Sequence, residues 1–275
     1  MEPTRRFFRW IEDRHEIYLK KEEGLPRPWT TDVILDTYRF TNPFRENDKT
    51  TVWFRQNMRD PLKHTKDVLL ATVIFRWFNL IETGETLLRH DLHKQWNPEL
   101  AREKIKEQKK YVTVGYIIKT PDGMDKVDGV IWCINNIVRS HNKIINDFAK
   151  INTLQKAHAL FQEYPYLGHF MSYELVCDLR YTLFLDKALD IHRWANAGPG
   201  AMRGLNRIYG RDLKYTSKKH DWNAEMVELK SVRNQYLPYS IAHKLEMREI
   251  EHSLCEFDKY ERVRNGEGKP RGLYR

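Results

Sequence analysis

A chain of 275 residues has room for one large domain or two small ones, each with a substantial core. Its formal charge of +9 favours a polyanionic partner, and 8 Trp, 14 Tyr and 12 Phe set flat rings beside cations, a mixture suited to nucleobase stacking. The 3 cysteines (Cys133, Cys177 and Cys255) are far apart, which excludes a disulfide framework, a short-spaced zinc site and a four-cysteine iron–sulfur cluster.

The charged start, MEPTRRFFRWIEDRHE, does not read as a signal peptide. The strongest apolar run, 68–75, is closed by Arg76 before it reaches bilayer length. A soluble, intracellular protein without membrane contact is expected. Residues 4–21 predict a helix with Phe7, Phe8, Ile11, His15 and Tyr18 near one face. Gly24, Pro26 and Pro28 end it, and Thr30 or Thr31 can cap the next helix, which carries Val33, Ile34, Leu35 and Tyr38.

The stretch TYRFTNPFRENDKTTVWF then crowds Arg39, Asn42, Arg45, Glu46 and Asp48 around Pro43. Polar residues at that density form either a buried hydrogen-bond network or a substrate-facing loop. Two arginines and an asparagine suit a phosphate or a base edge, so Tyr38, Arg39, Asn42 and Arg45 are candidate base or substrate contacts, with Trp194 in the same group.

Asp60-Pro61 breaks the chain, residues 66–80 read as a core helix, and 96–110 as a charged surface helix. Residues 111–119 alternate and precede a PDG turn signal, which predicts one short strand or extended arm, at most half of a small hairpin. Helix resumes over 127–150.

The central stretch, 154–210, holds the most chemistry. A helix with Leu154, Ala157, Leu160 and Phe161 meets a turn with Pro165 and Gly168, and a second helix follows with Met171, Leu175, Val176 and Leu179. Gly198-Pro199-Gly200 then launches a third helix, which stops at Gly210. Its N-terminal amides, at Gly198 and Gly200, can hold an anion, and Arg203, Arg207 and Arg211 follow at i, i+4, i+8 on one face. Two readings compete evenly: a phosphate site, or a solvated helix behind a glycine turn.

Residues 214–223 form a polar, basic connection, 226–236 a short helix, and 240–263 a long final helix with Ile241, Leu245, Leu254 and Phe257 inward. Glu249, His252 and Glu256 fall at i, i+3, i+7. With Glu251 they are candidates for general acid–base work or for binding an ammonium, against the plainer reading of a polar helix face. The HDLH tetrad (His90, His93) lacks a third ligand, so no metal is expected, and no cofactor. The tail, 264–275, is basic, Gly-rich and expected to be mobile unless DNA orders it. With no repeat or linker, the expectation is a single, mainly α-helical domain over 1–275 with at most a small β-hairpin. P-loop, G-x-G-x-x-G and G-x-S-x-G motifs are absent.

Helix, hairpin and helix followed by Asp190 resembles the helix-hairpin-helix DNA glycosylases. That likeness implies that amides around Gly168 and His169 hold a DNA phosphate while Asp190 faces a flipped-out nucleotide. The hairpin YLGHF has fewer glycines than the glycosylase turn, and no lysine occupies the Schiff-base position.

Four segments carry a second resemblance: PWTTDVILDTYRFTNPFRENDKTT, GYII, DIHRWANAGPGAMRGLNRIYG and IEHSLCEFDKYERVRNGEGKPR. They are similar to the alpha-glutamyl/putrescinyl thymine pyrophosphorylase family, amino acid:DNA transferases of phages with hypermodified thymine. The same helical module accompanies phage 5-hydroxymethyluracil DNA kinases. The resemblance implies a cytoplasmic enzyme of a phage-infected bacterium acting on double-stranded DNA that bears phosphorylated 5-hydroxymethyluracil. A cognate kinase would supply the phosphate, and an amino acid or polyamine would displace it. Asp190, Glu251, His252 and Glu256 are then the candidate catalytic groups. A base-excising glycosylase and a non-catalytic DNA-binding partner of a kinase are the alternatives.

Overall fold

The computed structural model describes residues 2–113, 118–270 and 272–274. Among them the fold is mainly α-helical, without a sheet. The chain forms two compact units, Met1–Asp48 with Ile191–Arg275, and Lys49–Asp190. No helix among the described residues is long and apolar enough to cross a membrane.

Helix α1 (Pro3–Glu22) opens the first unit with proline in its first turn, where a missing N–H costs nothing. It buries Phe7, Phe8, Trp10, Ile11 and Ile17 along one face. The cap of α2 (Val33–Thr37) is Asp32 rather than Thr30 or Thr31: its Oδ1 accepts the N–H groups of Ile34 (2.8 Å) and Leu35 (3.0 Å).

The unit Lys49–Asp190 comprises α3 (Lys49–Phe54), α4 (Asp60–Leu62), α5 (Asp67–Phe78), α6 (Ile81–Arg89), α7 (Pro98–Lys106), α8 (Lys126–Arg139), α9 (His141–Phe148), α10 (Leu154–Gln162) and α11 (His169–Leu179). Helix α5 is its hub, buried from Val68 to Phe78, with the Phe75 and Phe54 rings stacked at 4.7 Å. Its single cation, Arg76, meets Asp178 of α11 through two hydrogen bonds, 2.5 and 2.9 Å. The expected helix over 127–150 breaks at Ser140 into α8 and α9. Of the strand expected over 111–119, residues 114–117 and with them most of GYII lie outside the described residues, and the flanks on either side are not strand.

The chain returns to the first unit through α12 (Pro199–Ile208), α13 (Trp222–Val232), α14 (Tyr239–Ala242) and α15 (Met247–Arg264). The long final helix expected over 240–263 is therefore two. The break is set by a capping box in which the Glu246 side chain and the Glu249 side chain satisfy each other's backbone amides.

Helices α12 and α15 pack backbone to backbone. A Cβ on Gly200 would lie 2.3 Å from Cys255 Sγ, and one on Gly204 only 2.4 Å from the Leu254 carbonyl oxygen. The second obstacle is main chain and cannot rotate away. Gly204→Ala is therefore expected to destabilise the fold by about 1–3 kcal/mol or more, read as a lowered denaturant midpoint. Gly210→Ala, where the virtual Cβ meets nothing, pays only for its left-handed backbone (φ 66°).

The described part of the tail is docked rather than free. Arg39 N–H donates to the Gly272 carbonyl (3.0 Å) and Tyr274 N–H to that of Thr37 (3.1 Å), flanking an isolated bridge between Tyr38 and Leu273. The Tyr274 ring meets Trp29 at 5.6 Å, with the Lys21 and Arg27 cations over it.

Candidate active site

Two sequence candidates far apart in the chain converge in the first unit. Thr41 bridges them: its hydroxyl lies 2.9 Å from His252 Nε2, and its N–H donates to Glu256 Oε2 at 3.2 Å. The 38–48 segment reaches this position because its polar side chains fold it on itself. Asn42 N–H donates to Asp48 Oδ1 (3.1 Å), and Asn42 Oδ1 accepts the Phe44 N–H (2.9 Å). Arg14 of α1 donates to the Phe40 carbonyl at 3.0 Å and ties the segment down. Thr41 is exposed and His252 half-buried, above buried Asn42, Arg45 and Glu256. The segment is thus a buried network with an open upper edge.

The two carboxyls that feel the His252 charge, Asp48 and Glu256, are driven apart. Burial raises Asp48 above the ordinary carboxylate range, although His252, the Asn42 amide, Arg45 and Arg14 pull the other way. For Glu256 burial also pushes upward, but Lys259, His252 and the Thr41 amide outweigh it and hold it below its usual value. One carboxyl raised above the ordinary range and one held below it, both felt by a single imidazole, are the pattern of an acid–base pair. Two buried donors, Arg14 Nη1 and Asn42 Nδ2, have no hydrogen-bond partner, a situation that costs about 1–3 kcal/mol each unless an acceptor arrives.

The other candidates are engaged elsewhere. Both Asp190 carboxylate oxygens accept first-turn amides of α10, from Leu154 (2.7 Å) and Gln155 (3.0 Å), so Asp190 is a helix cap. The Gly198 N–H at the start of α12 donates to Glu251 Oε1 (3.3 Å), which makes Glu251 the anion at that terminus. Arg203 and Arg207 do share a face, but both meet buried Asp258, at 2.9 and 2.8 Å, and Arg207 also grips Glu267. Arg211 pairs with Glu225 inside a box of the Tyr209, Tyr215 and Trp222 rings. Each arginine of the expected phosphate row is thus ion-paired within the chain. Gly168 and His169 start α11 on an exposed turn, and the His169 carbonyl accepts His158 Nε2–H at 2.9 Å. Tyr38 and Arg39 run beneath the docked tail segment, and half-buried Trp194 precedes Ala195, whose N–H is held by Asn223.

Sequence reasoning gave no role to Thr41, Arg14 or Lys259. Arg14 carried a faint signal, a cation beside His15 on the apolar side of α1. Nothing in the spacing marked Thr41.

The family model described as "5-hmdU DNA kinase, helical domain" matches residues 2–270. The chain belongs to that family. A relative within reach of sequence comparison is the 5-hmdU DNA kinase of Bacillus phage SP10, 25% identical over 287 aligned residues that cover 92% of this chain. The helical-domain chain spans only 44% of that kinase's length. No solved structure matches it. The resemblance to the helical module of these kinases, read from the sequence, is borne out. In this helical domain the motifs GPGAMRGLN and EHSLCEFDKY are the α12–α15 pair, and the second also presents His252 and Glu256.

Proposed function

We propose that this helical domain acts on 5-hydroxymethyluracil in DNA. It transfers the 5-methylene carbon of a phosphorylated base from (pyro)phosphate to the nitrogen of an amino acid or polyamine. In that step a C–N bond forms as the C–O bond to the leaving group breaks, its electron pair departs with the phosphate, and the amine gives up one proton. His252, backed by Glu256, takes the proton, while Asp48, whose carboxyl burial pushes upward, serves as the acid toward the leaving oxygen. Arg14, Asn42 and Arg45 donate to the pyrimidine edge or phosphate of a base turned out of the duplex. Arg203, with a side chain 39% exposed, and the Gly168–His169 turn are proposed as contacts to the DNA backbone.

The observation that supports this reading is the convergence of the 38–48 segment on His252 and Glu256, with carboxyls pushed in opposite directions around one imidazole. A second reading, a DNA-binding module without chemistry of its own, is favoured by the share of the kinase relative that the chain spans and by the internal pairing of its arginines. Base excision loses support because Asp190 caps α10. Nucleoside mass spectrometry separates the three on DNA bearing phosphorylated 5-hydroxymethyluracil, incubated with the protein and pooled amino acids and polyamines. Transfer yields heavier nucleosides and free (pyro)phosphate, excision yields abasic sites, and a binding module yields neither.

A further inference from the structure

Residues 272–274 are held to the first unit by few contacts. Two main-chain hydrogen bonds flank the Tyr38–Leu273 bridge, and the Tyr274 ring meets Trp29 edge-to-face at 5.6 Å. Leu273 stays 51% exposed, so the docking buries little apolar surface. Two hydrogen bonds and two cation–ring contacts are of the same order as the entropy of ordering such a segment. Docked and lifted states therefore lie close in free energy. Nor does the 38–48 segment depend on the tail for its position. Phe40, Asn42 and Phe44 are buried, and Arg14 pins the Phe40 carbonyl at 3.0 Å.

The surface under Tyr274 is preformed and cationic. The Trp29 indole N–H donates to the Leu25 carbonyl (2.7 Å), and the Trp29 carbonyl accepts Lys20 Nζ (2.8 Å), so neither contact that fixes this residue involves the tail. Lys21 Nζ lies 5.3 Å and the Arg27 guanidinium 5.5 Å from the Trp29 ring centroid. Among the described residues, neither Lys21 nor Arg39 has a carboxylate within ion-pair distance. Burial, with Arg14 and Arg39 close by, pushes the Lys21 ammonium below its ordinary value against the pull of Glu22. Positive charge gathered around this ring thus lacks an anion. Tyr274 brings a ring without one, whereas a nucleotide brings both.

We propose that residues 272–274 form a self-masking strap over a base-stacking site on Trp29. Tyr274 holds the place that an unpaired base beside the modified one takes when DNA binds, with the strand's phosphates then meeting Lys21, Arg27 and Arg39. Lifting the strap also frees the Arg39 N–H and the Thr37 carbonyl. The identity of the displacing ligand rests on the function proposed above; the marginal docking of the strap does not.

Fluorescence anisotropy with a fluorescein-tagged single-stranded oligothymidylate tests the strap in the full chain, in Tyr274→Ala and in a chain shortened to end at Gly268. Tyr274→Ala binds about 10-fold tighter, the gain expected when roughly nine-tenths of the molecules are masked. The shortened chain also binds tighter, although it has lost Lys269, Arg271 and Arg275, a change that by charge alone weakens binding to a polyanion. Trp29→Ala added to either form abolishes the gain. Should a variant misfold by circular dichroism, hydrogen exchange in the wild-type chain replaces it. The Tyr274 amide, which donates to Thr37, then loses protection as oligothymidylate saturates the protein. Equal or weaker binding by folded Tyr274→Ala, binding by no form, or undiminished protection of 272–274 at saturation overturns the strap, whatever the nucleoside assay shows. Tighter binding by the unmasked forms, with no transfer on DNA bearing phosphorylated 5-hydroxymethyluracil, removes the transferase reading and leaves the strap.

Discussion

Arg76→Ala is expected to lower the stability of the Lys49–Asp190 unit by about 3–5 kcal/mol, the usual cost of removing one member of a buried ion pair. Arg76 is 2% and Asp178 0% exposed, and the guanidinium spans both carboxylate oxygens while also reaching Asn79 (2.7 Å) and Thr51 (3.3 Å). Its removal strips the guanidinium from a carboxylate in the middle of an apolar hub. The comparison that isolates the pair is Arg76→Met with Asp178→Leu, which removes both charges at similar volume. The double variant is expected to recover most of the loss, because a buried pair is worth little more than well-packed apolar side chains. Urea unfolding of the single and double variants checks this. Single-variant losses under about 1 kcal/mol would mean that water reaches the pair, since solvated pairs contribute no more.

His252→Ala is expected to slow transfer about 10²–10⁴-fold, the range that general acid–base groups contribute. The side chain is half-buried and hydrogen-bonds an exposed threonine, so its removal leaves no large cavity and the fold should persist. Thr41→Val, which removes the hydroxyl but keeps the backbone amide on Glu256, is expected to cost far less. Glu256→Gln acts at one remove: it removes the anion beside the imidazole and is expected to slow transfer less than His252→Ala, while helix content is retained. Rates by nucleoside mass spectrometry, with circular dichroism alongside, read all three. A folded His252→Ala protein with more than about a third of wild-type turnover would assign the proton transfer to another group.

Periodicity carried the architecture. The apolar spacing of α1, α5, α10, α11 and α12 is explicit, because a helix face repeats locally. Local signals were weaker where a helix breaks: Ser140 and the Glu246–Glu249 box interrupt runs whose spacing reads as continuous. The site was legible by halves. Density of polar residues pointed to the 38–48 segment, and i, i+3, i+7 spacing pointed to His252 and Glu256, but nothing local says that Thr41 joins them across 211 positions.

The same gap explains the glycine-flanked bend. Spacing placed Arg203 and Arg207 on one face correctly, yet it could not reveal Asp258, 55 and 51 residues away, or that Gly200 and Gly204 are small so that α15 can pass. A glycine that admits a ligand and a glycine that admits a helix look alike in sequence. Asp190 had the same ambiguity, since a carboxylate suited to a substrate also suits the first turn of a helix.

The claim that matters most is that the modified pyrimidine is met by the 38–48 segment and the His252–Glu256 turn of α15. Photo-crosslinking with duplex DNA carrying 5-iodouracil at the position of the modified thymine, followed by peptide mass spectrometry, reads that contact directly. Adducts within residues 38–48 and on the α15 peptide around His252 are predicted, lost on competition with DNA bearing phosphorylated 5-hydroxymethyluracil. Adducts confined to the Gly168–His169 turn, or to the Gly198–Gly200 bend, would contradict the account and return the site to the glycosylase-like geometry.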